Sequence, residues 1–463
     1  MGLGSVLDIG KNGLAIYSVA TEVTSENIAN VNTAGYSRQR VILESAPPTT
    51  HNGFPLGTGV RISIVERYYD SLLQKQLVDA ETTQGFDTKK SEVLEQIEPA
   101  FNEVSNDGLG TAISNFFGAW EDLSLNPAGT TERQTVITRA QILADNFHTV
   151  SKNLTDAIAT QNNALPSLTG DINLTLQGIA QLNEQIKYTE QVYGNANEMK
   201  DQRDQLIRDL SSQIGITFTE NADGTSDVYY KDTTPTTALV TGGQYGAFSL
   251  TGTPTYTVNL TAAGGGAAAV VTPTTGELGA IVTLRDTTLP GYLTKVNTLA
   301  TTIATQINTQ HQAGRDLTGA AGIAIFNPAT SAATITVNAA LTSTNQIAAA
   351  SSAGVFAAGD NQNALLMAQL KSTNTMSGGT TTFNGYYDSM VSQIGLDVQA
   401  GQNAVAQDAA YLKQLDAVRE SNSGVSLDEE LTNLIKYQRS YQASAKLITT
   451  ATEMLDVTLN MLR

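Results

Sequence analysis

The sequence predicts a mainly α-helical protein with an inserted β domain, in which long heptad-patterned helices from both chain ends pair as a coiled-coil-like domain. Three observations carry this. Apolar residues recur at alternating spacings of four and three in both halves of the chain, the mark of an amphipathic helix face. That period vanishes over 214–285, where Thr, Gly, Val and Tyr dominate and strand-like alternation replaces it. The strongest stripe runs to the last residue, so its partner is expected elsewhere in the chain.

At the N-terminus Val6, Ile9, Ile16, Ala20 and Val23 share a face that Asn27, Asn30 and Asn32 weaken. Gly2, Gly4, Gly10 and Gly13 each cost a helix about 1 kcal/mol relative to Ala, so this helix is expected to be marginal until packed and to fold on assembly. Helical patterns follow over 66–98 and along Val136, Ala140, Leu143, Phe147, Val150, Leu154 and Ala157. Two more occupy 171–193, on Ile172, Leu176, Ile179, Leu182 and Ile186, and 198–213. Another stripe, Leu289, Leu293, Val296, Ala300, Ile303 and Ile307, starts beside Pro290 in its first turn and stops before Gly314.

Within the β region, Ile216 to Thr219 alternates and an Asp223-Gly224 turn leads into Val228-Tyr229-Tyr230, which reads as a hairpin. Tyr256 to Leu260 and Ile281 to Leu284 are expected strands, separated by Gly264-Gly265-Gly266. Residues 314–358, rich in Ala, Thr, Gly and Ser, are expected to be a second piece of the β domain or a mobile loop.

At the C-terminal end Leu427, Leu431, Leu434, Gln438, Tyr441, Ala445, Ile448, Thr452, Leu455, Leu459 and Leu462 keep the alternation without a slip. Ser426 with Glu429 reads as a capping box, and Asp428, Glu429 and Glu430 oppose the positive helix end. At 1.5 Å per residue this helix would be about 54 Å long, and the N-terminal helix is its expected partner. The division predicted is a terminal-helix domain from 1–45 and 424–463, an elongated helical bundle from 46–213, 286–313 and 359–423, and a small β domain from 214–285, with or without 314–358.

Composition excludes several functions. Against 44 acidic residues stand 26 basic ones, a net charge of −18 that repels phosphate backbones and anionic lipid headgroups. The longest basic clusters are pairs such as Lys89-Lys90, so no nucleic-acid partner is expected. Cysteine is absent, which removes disulfides, thiolate metal sites and cysteine nucleophiles. The N-terminal stretch has no long apolar region or clear cleavage site, and the chain has no run of about 18 apolar residues to span a membrane.

Nor is a catalytic or metal constellation found. His51, His148 and His311 are far apart and outside any ligand spacing, so they are expected at the surface or an interface. Gly57-Thr58-Gly59 lacks the context of a phosphate loop and is expected to be a turn. Asp201 and Asp204, with Arg203 between them, are expected to face solvent. No enzyme activity, cofactor or metal is predicted.

The run Asn27-Ile28-Ala29-Asn30-Val31-Asn32-Thr33-Ala34-Gly35-Tyr36-Ser37-Arg38-Gln39 resembles the N-terminal signature of the flagellar rod, hook and hook-associated family. Its Tyr-Ser-Arg-Gln ending is similar to the hook-associated protein 1 branch. Where that family usually has Pro, this chain has Ala34, so helix termination is expected to fall to Gly35 in a left-handed conformation. Gly424-Val425-Ser426-Leu427-Asp428-Glu429-Glu430 and Tyr437-Gln438-Arg439-Ser440-Tyr441-Gln442-Ala443 resemble the C-terminal signature. Asp201-Gln202-Arg203-Asp204-Gln205-Leu206 and Asn308 to Gly314 look like internal motifs of the same branch.

The resemblance implies a non-enzymatic structural subunit outside the cell, in a ring that joins hook to filament, with the paired terminal helices as the axial inner tube, the helical bundle around it and the β domain outermost. Its partners would be further copies of itself, the hook protein and a second hook-associated junction protein. It also implies export without a cleaved signal peptide through the type III apparatus, with a chaperone on the C-terminal helix and no membrane insertion. The residues after Gly314 are few compared with members that carry an extra outer domain there, and that domain is expected to be absent. The expected assembly residues are Val6, Ile9, Ile16, Val23, Asn27, Asn30, Asn32, Gly35 and Tyr36, with Leu427, Leu431, Leu434, Tyr441, Ile448, Leu455, Leu459 and Leu462. A hook or rod subunit would share both ends, as would a surface adhesin or enzyme with flagellar-type termini.

Overall fold

The computed structural model describes residues 3–51, 54–101, 108–353 and 355–461. Helix α1, Leu3–Ala29, leads into two hairpins. Strand β1, Gln39–Ser45, pairs antiparallel with β4, Val60–Arg67, and between them β2, Thr49–His51, pairs with β3, Phe54–Leu56. Sequence patterning predicts none of these strands. The helix expected from 66 begins instead after a short connection: α2, Ser71–Ile97, is capped by Asp70, whose carboxylate accepts from the Leu72 and Leu73 N–H groups at 2.9 and 3.1 Å.

Next come α3, Leu109–Leu125, and α4, Thr130–Tyr193. The stripes predicted as separate helices at 136–157 and 171–193 are one 64-residue helix, about 96 Å long. Pro166 lies inside it without ending it, on an exposed face. Buried Leu165 and Leu168 on the opposite face tie this turn to the core, and that packing outweighs the one backbone bond a proline forfeits. Helix α5, Asn197–Gln213, folds back along α4.

The β region is a four-stranded antiparallel sheet and a three-stranded one. The first runs β5 (Ile216–Glu220), β6 (Ser226–Tyr230), β7 (Thr237–Thr241), β8 (Gln244–Tyr245), and the second is β9 (Ala247–Thr251) and β11 (Ala269–Val270) flanking β10 (Thr257–Thr261). Gly224, at φ 81°, makes the predicted β5–β6 turn. Ile281 to Leu284 is not a strand. Helix α6, Gly276–Thr283, contains most of it and runs through a π turn at 284–288 into α7, Leu289–Gln312. Leu278, Ile281, Val282 and Arg285 are all buried at helical spacing, so the helical period prevails over the β-branched pair Ile281-Val282. Helices α8, Gln362–Gln369, α9, Phe383–Ser423, and α10, Leu427–Met461, complete the chain.

Two cores sit along α4. Its first half, up to Leu154, packs with α3, α7 and the start of α9 around Phe116, Phe117, Trp120, Phe147 and Ile303. Its second half, from Leu165, packs with α5, α6 and the β sheets around Ile179, Ile207, Phe218, Val228 and Tyr230. Helices α2 and α5 approach closely enough that a Cβ on Gly85 would lie 1.9 Å from the Ser212 carbonyl oxygen.

Residues 314–350 pack on the first core rather than on the sheets: Ile325, Phe326, Ala332, Ile335 and Ile347 are buried in it, and the Phe326 ring lies 6.0 Å from that of Phe116. Buried polar groups fasten the segment. Arg133, 1% exposed, donates to the carbonyls of Pro127, Thr344 and Ile347. His148 bonds the Ile335 carbonyl at 2.7 Å. His311, expected at the surface or an interface, is fully buried. Its Nε2 accepts the Ala348 N–H at 2.8 Å, which leaves Nδ1 as the donor to the Ile323 carbonyl at 2.5 Å.

Burial and, to a lesser degree, the Arg133 charge push the His311 pKa from 6.5 down to about 4. The neutral ring therefore contributes stability above pH 6.5 that is lost as pH falls from 6.5 towards 4, by about 3 kcal/mol. Urea unfolding at pH 7 and pH 4 is expected to show this loss. A His311→Gln chain, less stable at pH 7, is expected to lose about 3 kcal/mol less across the same range; an unchanged slope would refute the assignment.

Candidate assembly interface

Both chain ends meet in one two-helix unit. Gly10 lies against Ile448 and Gly13 against Ser444, the Tyr17 and Tyr437 rings stack at 6.5 Å, and Asn27 reaches Glu430. The pairs descend on α10 as they ascend on α1, so the helices are antiparallel. Small residues let them approach: Cβ atoms on Gly10 and Gly13 would fall 2.7 Å from the Ile448 and Ser444 side chains. Their glycine cost in an isolated helix is therefore offset by close packing.

The surface α10 turns to α1 is rotated from the predicted stripe. Glu430, Ser444 and Ala451 are buried, with Leu434, Tyr437, Ile448 and Leu455 half-buried, whereas Leu427, Leu431, Tyr441 and Leu459 are 43–61% exposed. On α1, Ile16, Val23 and Asn27 are buried and Val6, Ile9 and Asn30 half-buried; in the following loop Gly35 and Tyr36 are half-buried and Asn32 exposed. Leu462 and Gly2 lie outside the described residues. Gly35 is left-handed, φ 82°, but α1 ends at Ala29, so it shapes a turn beyond the helix.

Asn27 is 1% exposed and uses every hydrogen-bonding position of its amide. Nδ2 donates to the Gln39 carbonyl at 2.8 Å and to Glu430 Oε2 at 3.1 Å. Oδ1 accepts from Tyr36 Oη and from the Gln39 N–H, both at 2.9 Å. Burial, with Glu26 adding to it, raises the Tyr36 hydroxyl well above its ordinary pKa and keeps it a donor. Arg38 joins the same knot, pairing with Glu430 at 2.6 Å and Glu429 at 2.7 Å. Glu429, expected to complete a capping box with Ser426, thus gives its carboxylate to Arg38.

Ser37 and Gln39 reach the other way, into the body. The Ser37 N–H and Oγ both donate to Asp201 at 2.8 Å, and the Gln39 side chain accepts from Asn197 at 3.0 Å. Asp201 and Asp204, expected to face solvent, are 8% and 6% exposed and share Arg67, at 2.7 and 2.8 Å. Burial pulls the Arg67 guanidinium down, but Asp204 and Asp201 raise it further. Burial pushes the Asp201 carboxyl up, although Arg67 and Ser37 hold it back. Arg203, fully buried, pairs with Asp204 at 3.1 Å and donates to the Gly224 carbonyl at 2.5 Å, tying α5 to the β5–β6 turn.

Beside this knot the 30–36 loop, α4 and α5 enclose a groove of about 520 Å³ whose lining includes Leu182, Leu206, Glu26 and Glu198. A hydrogen bond from Glu198, burial, and the Glu198 and Glu22 charges raise the Glu26 pKa to about 7. Among the described residues no group of His, Cys, Asp and Glu could hold a metal ion, and no helix is long and apolar enough to cross a membrane.

Paired termini fastened to a long helical body coincide with matches to three flagellar protein families. Residues 7–36 match the family model described as flagella basal body rod protein, and 419–461 match the flagellar basal body rod FlgEFG protein C-terminal model. Residues 94–326, half of the chain, match the flagellar hook-associated protein FlgK helical domain. The chain belongs to the FlgK family of flagellar hook-associated proteins.

Flagellar hook-associated protein 1 of Bacillus subtilis (strain 168) is 28% identical over 98% of this chain and 97% of its own. That of Escherichia coli (strain K12) is 27% identical over 99% and 100%. The flagellar hook junction protein FlgK from Burkholderia pseudomallei has the same fold: TM-score 0.68 at 17% identity, over 75% of this chain and all of that one.

Proposed function

We propose that the chain is the subunit of a ring that joins hook to filament, with the second hook-associated junction protein between it and flagellin. The observation that carries this reading is the α1/α10 unit: after pairing with α1, α10 still exposes Leu427, Leu431, Ile435, Leu447, Met454 and Leu459. These exposed apolar side chains flank the α1 contact on both sides, as an interaction surface would, and further copies, hook protein and the second junction protein would cover them in a helical array of head-to-tail and lateral contacts. Before assembly the same exposed residues suit an export chaperone, and the chain would reach the cell exterior through the type III apparatus without a cleaved signal peptide. The axial unit, comprising 1–45 and 424–463, would form the inner wall, with the helical bundle and the 214–285 β domain outside it.

A strain lacking the gene tests the role. Electron microscopy is expected to show hooks without filaments, and an assay of the medium to find flagellin. Missing hooks would move the chain to the rod or hook; intact filaments would overturn the junction role.

A further inference from the structure

Charge along the two terminal helices is segregated. Residues 431–452 carry three charged side chains, Lys436, Arg439 and Lys446, all cationic, in a chain of net charge −18. All three are exposed on α10, and none forms an ion pair with the described residues of its own chain. Along the facing half of α1, residues 12–29, the charged side chains are Glu22 and Glu26. Glu26 lines the groove between α1, the 30–36 loop and α5 together with Glu198, and the Glu22 charge, one helical turn before Glu26, is felt there.

We infer that the cationic outer face of α10 in one copy docks in this acidic groove of a second copy. Leu431, Ile435 and Arg439 succeed one another at i, i+4 spacing, so one helix face offers two exposed apolar side chains and a cation. The groove offers the complement, with Leu182 and Leu206 beside the carboxyl groups of Glu26 and Glu198 in its lining. Glu26 and Glu198 repel one another as carboxylates; a guanidinium or ammonium between them relieves that repulsion without a proton. Two chains of charge −18 repel at long range, and a matched patch both opposes that repulsion and sets the register of the contact.

The inference rests on the self-association proposed above, and its test separates the two. Sedimentation velocity of the full chain, at about 50 mM salt where charge contacts are weakly screened, would compare wild type with two variants. One carries Glu22→Lys and Glu26→Lys, the other Lys436→Glu and Arg439→Glu. Each alone is expected to associate at least about tenfold more weakly, and an equimolar mixture to recover to within about threefold of wild type, because the reversed patches match each other. A misfolded variant could not be rescued in this way. If wild type associates while either variant alone behaves like it, or the mixture is no better than its components, the docking inference is overturned and self-association stands. A wild-type chain monomeric at every concentration overturns self-association and the inference with it.

Discussion

Replacing Asp201 by Ala is expected to destabilise the chain by about 3–5 kcal/mol, the cost of removing one partner of a buried ion pair. Asp201 accepts from the Ser37 N–H, the Ser37 hydroxyl and Arg67. Without it, Arg67, whose side chain is 6% exposed, keeps Asp204 alone, and a backbone N–H loses its acceptor. Burial pushes the Asp201 carboxyl up while the two carboxylates hold the Arg67 guanidinium charged. A buried pair of this kind adds little net stability when intact but is expensive to break. Its role is to specify how the axial unit sits on α5. Urea unfolding would give the magnitude, and amide exchange would give the place: protection is expected to fall over 36–40 and 60–67 and to persist in α7. Loss spread evenly over the chain would contradict a local fastening.

Asn27→Leu is expected to cost about 2–4 kcal/mol and to open the α1/α10 pair, because it leaves the Gln39 N–H, the Gln39 carbonyl and Glu430 without their partner in a buried site. Asn27→Asp separates hydrogen bonding from shape. It keeps the acceptor for Tyr36 and Gln39 but sets an oxygen where Nδ2 lay 3.1 Å from Glu430, so it is expected to be milder than Leu at low pH, where a shared proton can bridge the two carboxyls, and worse than Leu once that proton is lost. Exchange of the α1 and α10 amides, measured separately from the body, would check both. An Asn27→Asp chain as protected as wild type would mean that the Asn27 amide does not hold the two helices together.

Much of the helical architecture can be read from periodicity, because repeating core contacts leave repeating apolar residues. Helix α7 begins at the predicted Leu289, and the terminal helices emerge as two long stripes. What escapes has definite causes. The continuity of α4 is hidden because Pro166 reads locally as an end, although its neighbours Leu165 and Leu168 keep the period. The first hairpins are partly exposed on both faces, so β1 and β4 lack the clean alternation of a one-sided strand.

The fastening residues escape for a different reason. Asp201 and Asp204 are charged, and charge is read as solvated unless a partner distant in sequence is known. A local signal does exist: Arg203 falls on the buried stripe of Ile207, Leu210 and Ile214, and Asn27 on that of Ile16, Ala20 and Val23. A polar residue on a core stripe is a demand for partners. The rotated face of α10 follows the same logic, for its buried row of Glu430, Ser444 and Ala451 is polar or small and carries little hydrophobic pattern.

Asn27 and Glu430 are 403 positions apart, yet each is only a few residues from where its helix leaves the body. In an unfolded chain, bringing them together closes a loop whose entropic cost is about 5 kcal/mol. Once the body has folded, Arg38 and Ser423 are already hydrogen-bonded, N–H to carbonyl at 2.9 Å, and the remaining closure is short. Loop entropy therefore favours an order in which the body forms first and the ends then find each other as neighbours, so the α1/α10 pair is expected to be the last part to close and the first to open.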